Sequence, residues 1–99
     1  MTRSGFRPAA SADVQAAYEW YESQRPGLGN EFITAVDTAV ASILAFPKAY
    51  AVVHRGARRV LLERFPYGLY YRIDGARIVV VACMHAARDP RRWRSRLDG

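Results

Sequence analysis

Apolar residues in the first half of the chain recur at the spacing of helices. From Pro8 onward they stand three or four positions apart, opposite acidic residues, and this predicts an amphipathic helix. These apolar positions are Ala10, Val14, Ala17, Tyr18 and Tyr21. Residues 26–29, Pro-Gly-Leu-Gly, interrupt the pattern, and a second helical series follows until Pro47. Its members are Phe32, Val36, Val40 and Ile43. The chain therefore predicts a helical hairpin.

After Pro47 the period of the pattern changes to two, which predicts strands. Residues 50–54, 58–65, 69–74 and 77–85 are rich in β-branched and aromatic side chains and are separated by short turns. Successive strands joined by short turns pair antiparallel, so we expect a meander. Residues 78–84 are almost all apolar, so this strand should be central and covered on both faces.

Both ends of the chain add one short element. Residues 1–7 favour a first strand, because Arg7 precedes Pro8 and a residue before proline avoids the helical region. Asp89-Pro90 is a good start for a terminal helix. A chain of 99 residues buries one core, so residues 1–99 should form a single domain. The predicted fold is α+β, an N-terminal helical hairpin packed on a curved antiparallel β-sheet with a short C-terminal helix.

Charge is divided unevenly along the chain. Residues 1–50 contain four basic and five acidic residues, whereas residues 51–99 contain eleven arginines and four acidic residues. Fourteen of the fifteen basic residues are arginine, whose guanidinium suits paired hydrogen bonds to carboxylate or phosphate. The second half of the chain should therefore bind an acidic partner.

Several classes of protein are not expected. No stretch approaches an uninterrupted apolar run of about 18 residues, and the chain begins without an apolar signal core, so we expect a cytoplasmic protein with no membrane partner. Cys83 lies in an apolar strand and should be a buried thiol. The two histidines and one cysteine lie too far apart to suggest metal ligands, so no metal and no cofactor are expected.

Five segments in order resemble a known family. They are residues 16–22, 26–32, 58–67, 69–73 and 85–90, the last followed by Trp93. Together they resemble toxins of the RelE/ParE superfamily, the stable halves of type II toxin-antitoxin pairs, often labelled plasmid stabilisation proteins. The resemblance implies growth inhibition, a heteromeric complex with a cognate antitoxin protein whose extended and helical tail wraps the toxin, and a target that is either DNA gyrase or the ribosome with its mRNA.

An mRNA-cleaving toxin would need an acid, a base and a positive clamp on phosphate. The candidate catalytic residues are His85, Arg88 and Arg72, with Arg64 as a further arginine that could approach them. Against this, nuclease branches of the superfamily carry a basic residue where this chain has Gly68. The structural alternative is that His85 closes its strand and bonds to Asp89 or to the following turn.

A binding surface for antitoxin or target is predicted from the basic residues of the second half. Its candidate members are Arg58, Arg59, Arg64, Arg72, Arg88, Arg91, Arg92 and Trp93. The alternative for the strand arginines is an exposed sheet face paired with Glu63, Asp74 or helix carboxylates. Trp93 either pins the terminal helix to the sheet or lies in the contact surface.

Two further predictions concern single side chains. His54 should only be solvated, in a turn. The aromatic group of Tyr18, Trp20 and Tyr21 should pack in the core or the hairpin and not form a platform for stacking bases.

Three functions remain open from the sequence. The favoured one is a non-enzymatic toxin that binds gyrase and traps it on cleaved DNA. The second is a ribosome-dependent mRNA endoribonuclease that uses His85 and arginines. The third is a basic nucleic-acid-binding module or an inert relic toxin, since positive charge alone gives affinity for phosphate.

Overall fold

The structure is a computed structural model that describes the backbone of residues 3–98 and the side chains of residues 5–98. Its elements follow the predicted order. They are β1 (Arg3–Phe6), α1 (Pro8–Gln24), α2 (Leu28–Ala45), β2 (Val52–His54), β3 (Ala57–Leu61), β4 (Tyr67–Asp74), β5 (Arg77–His85) and α3 (Pro90–Asp98). The third strand ends earlier than predicted, because the chain turns at Arg64, which has a left-handed φ of 70°.

The five strands form one sheet in the order β1-β5-β4-β3-β2. The predicted antiparallel meander from β2 to β5 is confirmed. The sheet is nevertheless mixed, because β1 pairs parallel with β5, for example Phe6 beside Val80. Six connections separate β1 from β5 in the element order. The first strand lies at one edge of the sheet, beside the strand that is last in the chain.

The prediction that the last strand is covered on both faces is confirmed. Val80 and Cys83 of β5 belong to the core between the sheet and the helical hairpin, whereas Val81 and Ala82 belong to a second cluster under α3. Val81 and Ala82 are neighbours in sequence and still face the same side of the sheet, because β5 has a bulge at this point. Tyr70 lies opposite Ala82 and Tyr71 lies opposite Val80, which leaves Val81 as the extra residue. The sheet thus lies between two apolar layers.

The turn between the two long helices depends on glycine. Gly27 has a left-handed φ of 89°, and a Cβ on Gly29 would lie 2.8 Å from Tyr18. The Glu22 carboxylate accepts hydrogen bonds from the amides of both glycines at 2.9–3.2 Å. These contacts fix the predicted hairpin.

Helix α2 is long and apolar enough to cross a membrane when judged by length and mean hydropathy alone. In this fold it is a core helix, since Phe32, Val36 and Ile43 are buried against α1 and the sheet. Its apolar side is therefore already covered by protein.

Helix α3 begins as predicted, because the Asp89 carboxylate accepts a hydrogen bond from the amide of Arg91 at 3.0 Å. Trp93 and Leu97 bury its inner face, and the Trp93 ring stacks on Tyr70 with centroids 5.4 Å apart. Cys83 is buried as predicted, and burial raises the pKa of its thiol to about 12.

Candidate functional site

A cleft of about 480 Å³ lies between α1 and the end of β5 and brings together three of the predicted site residues, His85, Arg88 and Arg92. Trp20 of α1 forms part of its wall, and Tyr67 of β4 faces His85 with ring centroids 5.6 Å apart. The cleft is therefore a basic and aromatic recess at one end of the sheet.

His85 is held in this cleft without a hydrogen bond at Nδ1, which is buried. Burial, followed by the charge of Arg88, lowers the pKa of the imidazole below 6.5. The predicted bond to Asp89 is wrong, because the Asp89 carboxylate binds the Arg91 guanidinium at 2.8–3.1 Å. The lowered pKa favours the neutral imidazole, which has one donor and one acceptor nitrogen.

The two arginines of the cleft are free cations. Among the side chains of residues 5–98, no carboxylate lies within ion-pair distance of Arg88 or Arg92. The nearby carboxylate of Asp13 binds both guanidinium nitrogens of Arg96 at 2.6 and 2.9 Å and accepts from the amide of Cys83 at 3.0 Å. Because Asp13 is neutralised in this way, the cleft keeps its positive charge.

Arg72 lies far from His85. Its guanidinium donates to the carbonyl of Leu97 at 2.7 Å and to that of Arg55 at 3.4 Å, on the side of the sheet that carries α3. On β4, Tyr67 is the partner of His85 and Arg72 is five residues further on, or about 17 Å along a strand. The candidate catalytic residues His85, Arg88 and Arg72 are therefore not assembled in one place.

Trp93 and Arg59 form a stack under α3. The Trp93 side chain is only 5% exposed, and the Arg59 guanidinium lies 5.4 Å from its ring centroid and 6.0 Å from that of Tyr70. Of the two roles that the sequence allowed for Trp93, the structure favours pinning the helix to the sheet.

The other candidate arginines are engaged locally. Arg58 donates to the carbonyl of Tyr50 at 2.6 Å, and Arg64 forms an ion pair with Glu31 of α2 at 2.7 Å. Arg91 is paired with Asp89. The eight predicted binding residues are thus distributed over several surfaces and do not form one basic face.

A second recess, a groove of about 530 Å³, lies between α2 and β3 and was not predicted from the sequence. Thr34, Thr38 and Ser42 line its helix side, and Leu61, which is 59% exposed, lies on its strand side. The groove arises because β2 pairs with β3 only near Val52 and His54, so the end of β3 has no strand neighbour there in the described part of the chain. The alternating pattern predicted a strand over residues 50–54 and gave no sign that β2 would begin only at Val52.

Two side chains differ from their predicted environments. His54 is not merely solvated, because its Nε2 lies 2.6 Å from the carboxylate of Asp98, which also pairs with Arg55. Trp20 does not pack in the core and is 57% exposed. One signal was available for Trp20: it stands seven residues after Asp13, and therefore on the same side of α1, at the border of the apolar stripe.

Metal ligands are not grouped in the described residues: no cluster of three or more His, Cys, Asp or Glu side chains there could hold an ion.

The fold defines a class of protein by comparison with solved structures. A chain from the chromosomal ParDE TA system of P. aeruginosa superposes with a TM-score of 0.65 at 21% identity, covering 86% of this chain and 96% of that chain. At this identity the likeness concerns the fold, two N-terminal helices on a five-stranded sheet with a short C-terminal helix. No curated protein matches the sequence.

The family follows from the sequence match. The model of the ParE toxin of the type II toxin-antitoxin system parDE matches residues 5–90. The chain belongs to this family of ParE toxins, and the predicted resemblance to the RelE/ParE superfamily is confirmed.

Proposed function

We propose that this ParE-family toxin inhibits growth by binding DNA gyrase and trapping it on cleaved DNA, and that a cognate antitoxin neutralises it in the cytoplasm. The observation that carries the choice of gyrase over RNA cleavage is the separation of Arg72 from His85. The Arg72 guanidinium donates a hydrogen bond to a carbonyl near the end of α3. Arg58 donates to a backbone carbonyl and Arg64 pairs with a carboxylate of α2, both away from His85. A nuclease needs an acid, a base and a phosphate clamp at the same phosphate, and of the predicted catalytic arginines only Arg88 lies beside His85.

We propose that the antitoxin tail binds in the groove between α2 and β3. Its lining is mixed, with exposed Leu61 and small side chains of α2, and Arg64 at its rim is already paired with Glu31. A partly apolar groove beside the unpaired end of a strand suits a peptide, because main-chain bonds supply affinity and pockets supply specificity. The occupant would be the tail of the cognate antitoxin.

The test is inducible expression in bacteria with and without the antitoxin, followed by assays of the arrested cells and of purified gyrase. We expect growth arrest, accumulation of cleaved DNA in a gyrase reaction, and full-length mRNA. Coexpression of the antitoxin should restore growth. No arrest at confirmed expression would contradict an active toxin, and arrest without cleaved DNA would contradict gyrase as the target.

The alternative, a ribosome-dependent mRNA endoribonuclease, is favoured by one observation, the position of His85 beside Arg88 in the cleft, where burial and then Arg88 lower the pKa of the imidazole. Its test is mapping of mRNA ends after induction of the wild type and of His85→Gln. Cut mRNA that disappears in the variant, while the variant remains folded by circular dichroism, would establish the nuclease and reject the gyrase proposal.

A further inference from the structure

The cleft at the end of β5 has features that neither the fold nor the proposed target explains. A soluble domain normally buries tryptophan or uses it in a contact. Here the Trp20 ring packs at 83° to the Tyr21 ring, with centroids 5.0 Å apart, and still leaves 57% of the side chain exposed. The indole lines the cleft and leaves more than half of its side chain open to solvent.

Positive charge and a hydrogen-bonding ring lie in the same recess. Arg88 and Arg92 have no carboxylate partner among the described side chains, and Asp13 is neutralised by Arg96. The His85 imidazole also lines the cleft, and its Nδ1 has no partner in the protein. The polar groups that line the cleft are therefore two arginines without carboxylate partners among the described side chains and one imidazole.

We propose that this cleft binds one nucleotide of a single-stranded nucleic acid, with the base stacked on Trp20 and the phosphate held by Arg88 and Arg92. An aromatic platform beside a positive groove is how proteins bind single strands without reading sequence. The volume of about 480 Å³ lies in the range of sites for small ligands. His85 adds a hydrogen bond to the base or the phosphate.

A nucleotide fits this cleft better than a peptide does. An extended peptide would need free main-chain groups on a strand edge, but the amide of Cys83 at this edge is already bonded to Asp13 at 3.0 Å. A base needs only an exposed ring, and a phosphate needs only free cations. The cleft offers the exposed ring of Trp20 and the cations of Arg88 and Arg92. In the groove beside β3, by contrast, Arg64 is paired with Glu31, and the end of the strand has no strand neighbour in the described part of the chain.

The experiment measures the affinity of the purified full chain for fluorescein-labelled single-stranded oligonucleotides, one DNA and one RNA of the same sequence, by anisotropy at about 0.15 M salt. Trp20→Ala should weaken binding about tenfold, as expected for the loss of one stacked base. Arg88→Gln and Arg92→Gln should each reduce the slope of log affinity against log salt by about 0.7. Binding should quench tryptophan fluorescence, and the quenching should disappear in Trp20→Ala because Trp93 is buried.

Matched controls separate the cleft from general attraction to phosphate. Arg77→Gln removes the same charge at the opposite end of β5, where the side chain is exposed, and should change affinity less than twofold. Trp20→Phe keeps an aromatic ring and should retain most of the affinity. A duplex of the same sequence should bind more weakly, because its bases are already stacked.

Two results would overturn the proposal. Equal losses for Arg77→Gln, Arg88→Gln and Arg92→Gln, with no effect of Trp20→Ala, would show attraction to phosphate without a site. Binding of a glutamate-rich peptide that is lost in the cleft variants, with no binding of either oligonucleotide, would assign the cleft to a protein partner. Gyrase trapping is measured separately, so the toxin proposal survives either result.

Discussion

The groove beside β3 and the cleft at the end of β5 are similar in volume but differ in chemistry. In the groove, the end of β3 has no strand neighbour on the groove side in the described part of the chain, and the arginine at the rim is paired, Arg64 with Glu31. In the cleft, the strand amide is satisfied by Asp13, while Arg88 and Arg92 are unpaired in the described part of the chain. The comparison shows that a basic composition does not locate a binding site. What matters is which charges and main-chain groups remain free after folding.

The largest expected effect concerns Cys83, which lines the cleft at the end of β5. Burial, followed by the charge of Asp13, raises the pKa of the Cys83 thiol from 9.0 to about 12, which lowers its thiolate population about a thousandfold at any pH well below 9. We expect Cys83 to react with a disulfide reagent at pH 8 only after unfolding in urea. The measurement is the rate of labelling with and without denaturant. Rapid labelling of the folded protein would mean that the reagent can reach the Cys83 sulfur in the folded state.

The second prediction concerns the ion pair between Arg96 and Asp13, which lines the cleft. Asp13→Asn should lower the free energy of unfolding by about 3 kcal/mol, because it leaves the partly buried Arg96 without its partner. The measurement is urea unfolding. Arg96→Met alone leaves the Asp13 carboxylate uncompensated, so the double variant should be less destabilised than the sum of the two single variants. Additive losses would show that the two side chains act independently.

The third prediction tests the groove. Leu61→Lys should weaken the toxin-antitoxin complex about thirtyfold, since an exposed apolar side chain in a peptide groove is a candidate anchor worth about 2 kcal/mol. The measurement is calorimetric titration with the cognate antitoxin. Val52→Lys is the matched control, because Val52 is 52% exposed on the neighbouring strand and does not line the groove. Equal effects of the two variants would place the antitoxin on the sheet edge generally.

The smallest expected effect is in the titration of His85. Its folded pKa is lowered by burial and then by Arg88, so between that pKa and 6.5 the unfolded chain binds more protons than the folded one. Stability should therefore rise with pH through this window, and it should be lost as pH falls below 6.5. NMR titration of the imidazole should give a pKa below 6.5, and an oligonucleotide in the cleft should raise it. A pKa above 6.5 in the free protein would contradict the buried environment.

Local pattern predicted more of the fold than of the site. The spacing of apolar residues in α1 and α2 and the alternation in the strands record which side of each element faces the core. Trp20 was misassigned because it lies beside the apolar stripe and not within it. The arginines were harder to assign, since a guanidinium on a long side chain can reach partners that no local pattern identifies.

The sequence by itself determined the order of the elements, the hairpin at Gly27, the antiparallel meander and the ParE family. Only the tertiary structure decided that β1 runs parallel to β5, that β2 leaves part of β3 uncovered, and which cations stay free. Arg96 meets Asp13 across 83 positions, and Arg72 meets Leu97 across 25. Periodicity depends on neighbours within one element, whereas these pairings depend on how elements pack, so they are fixed only when the whole chain has folded.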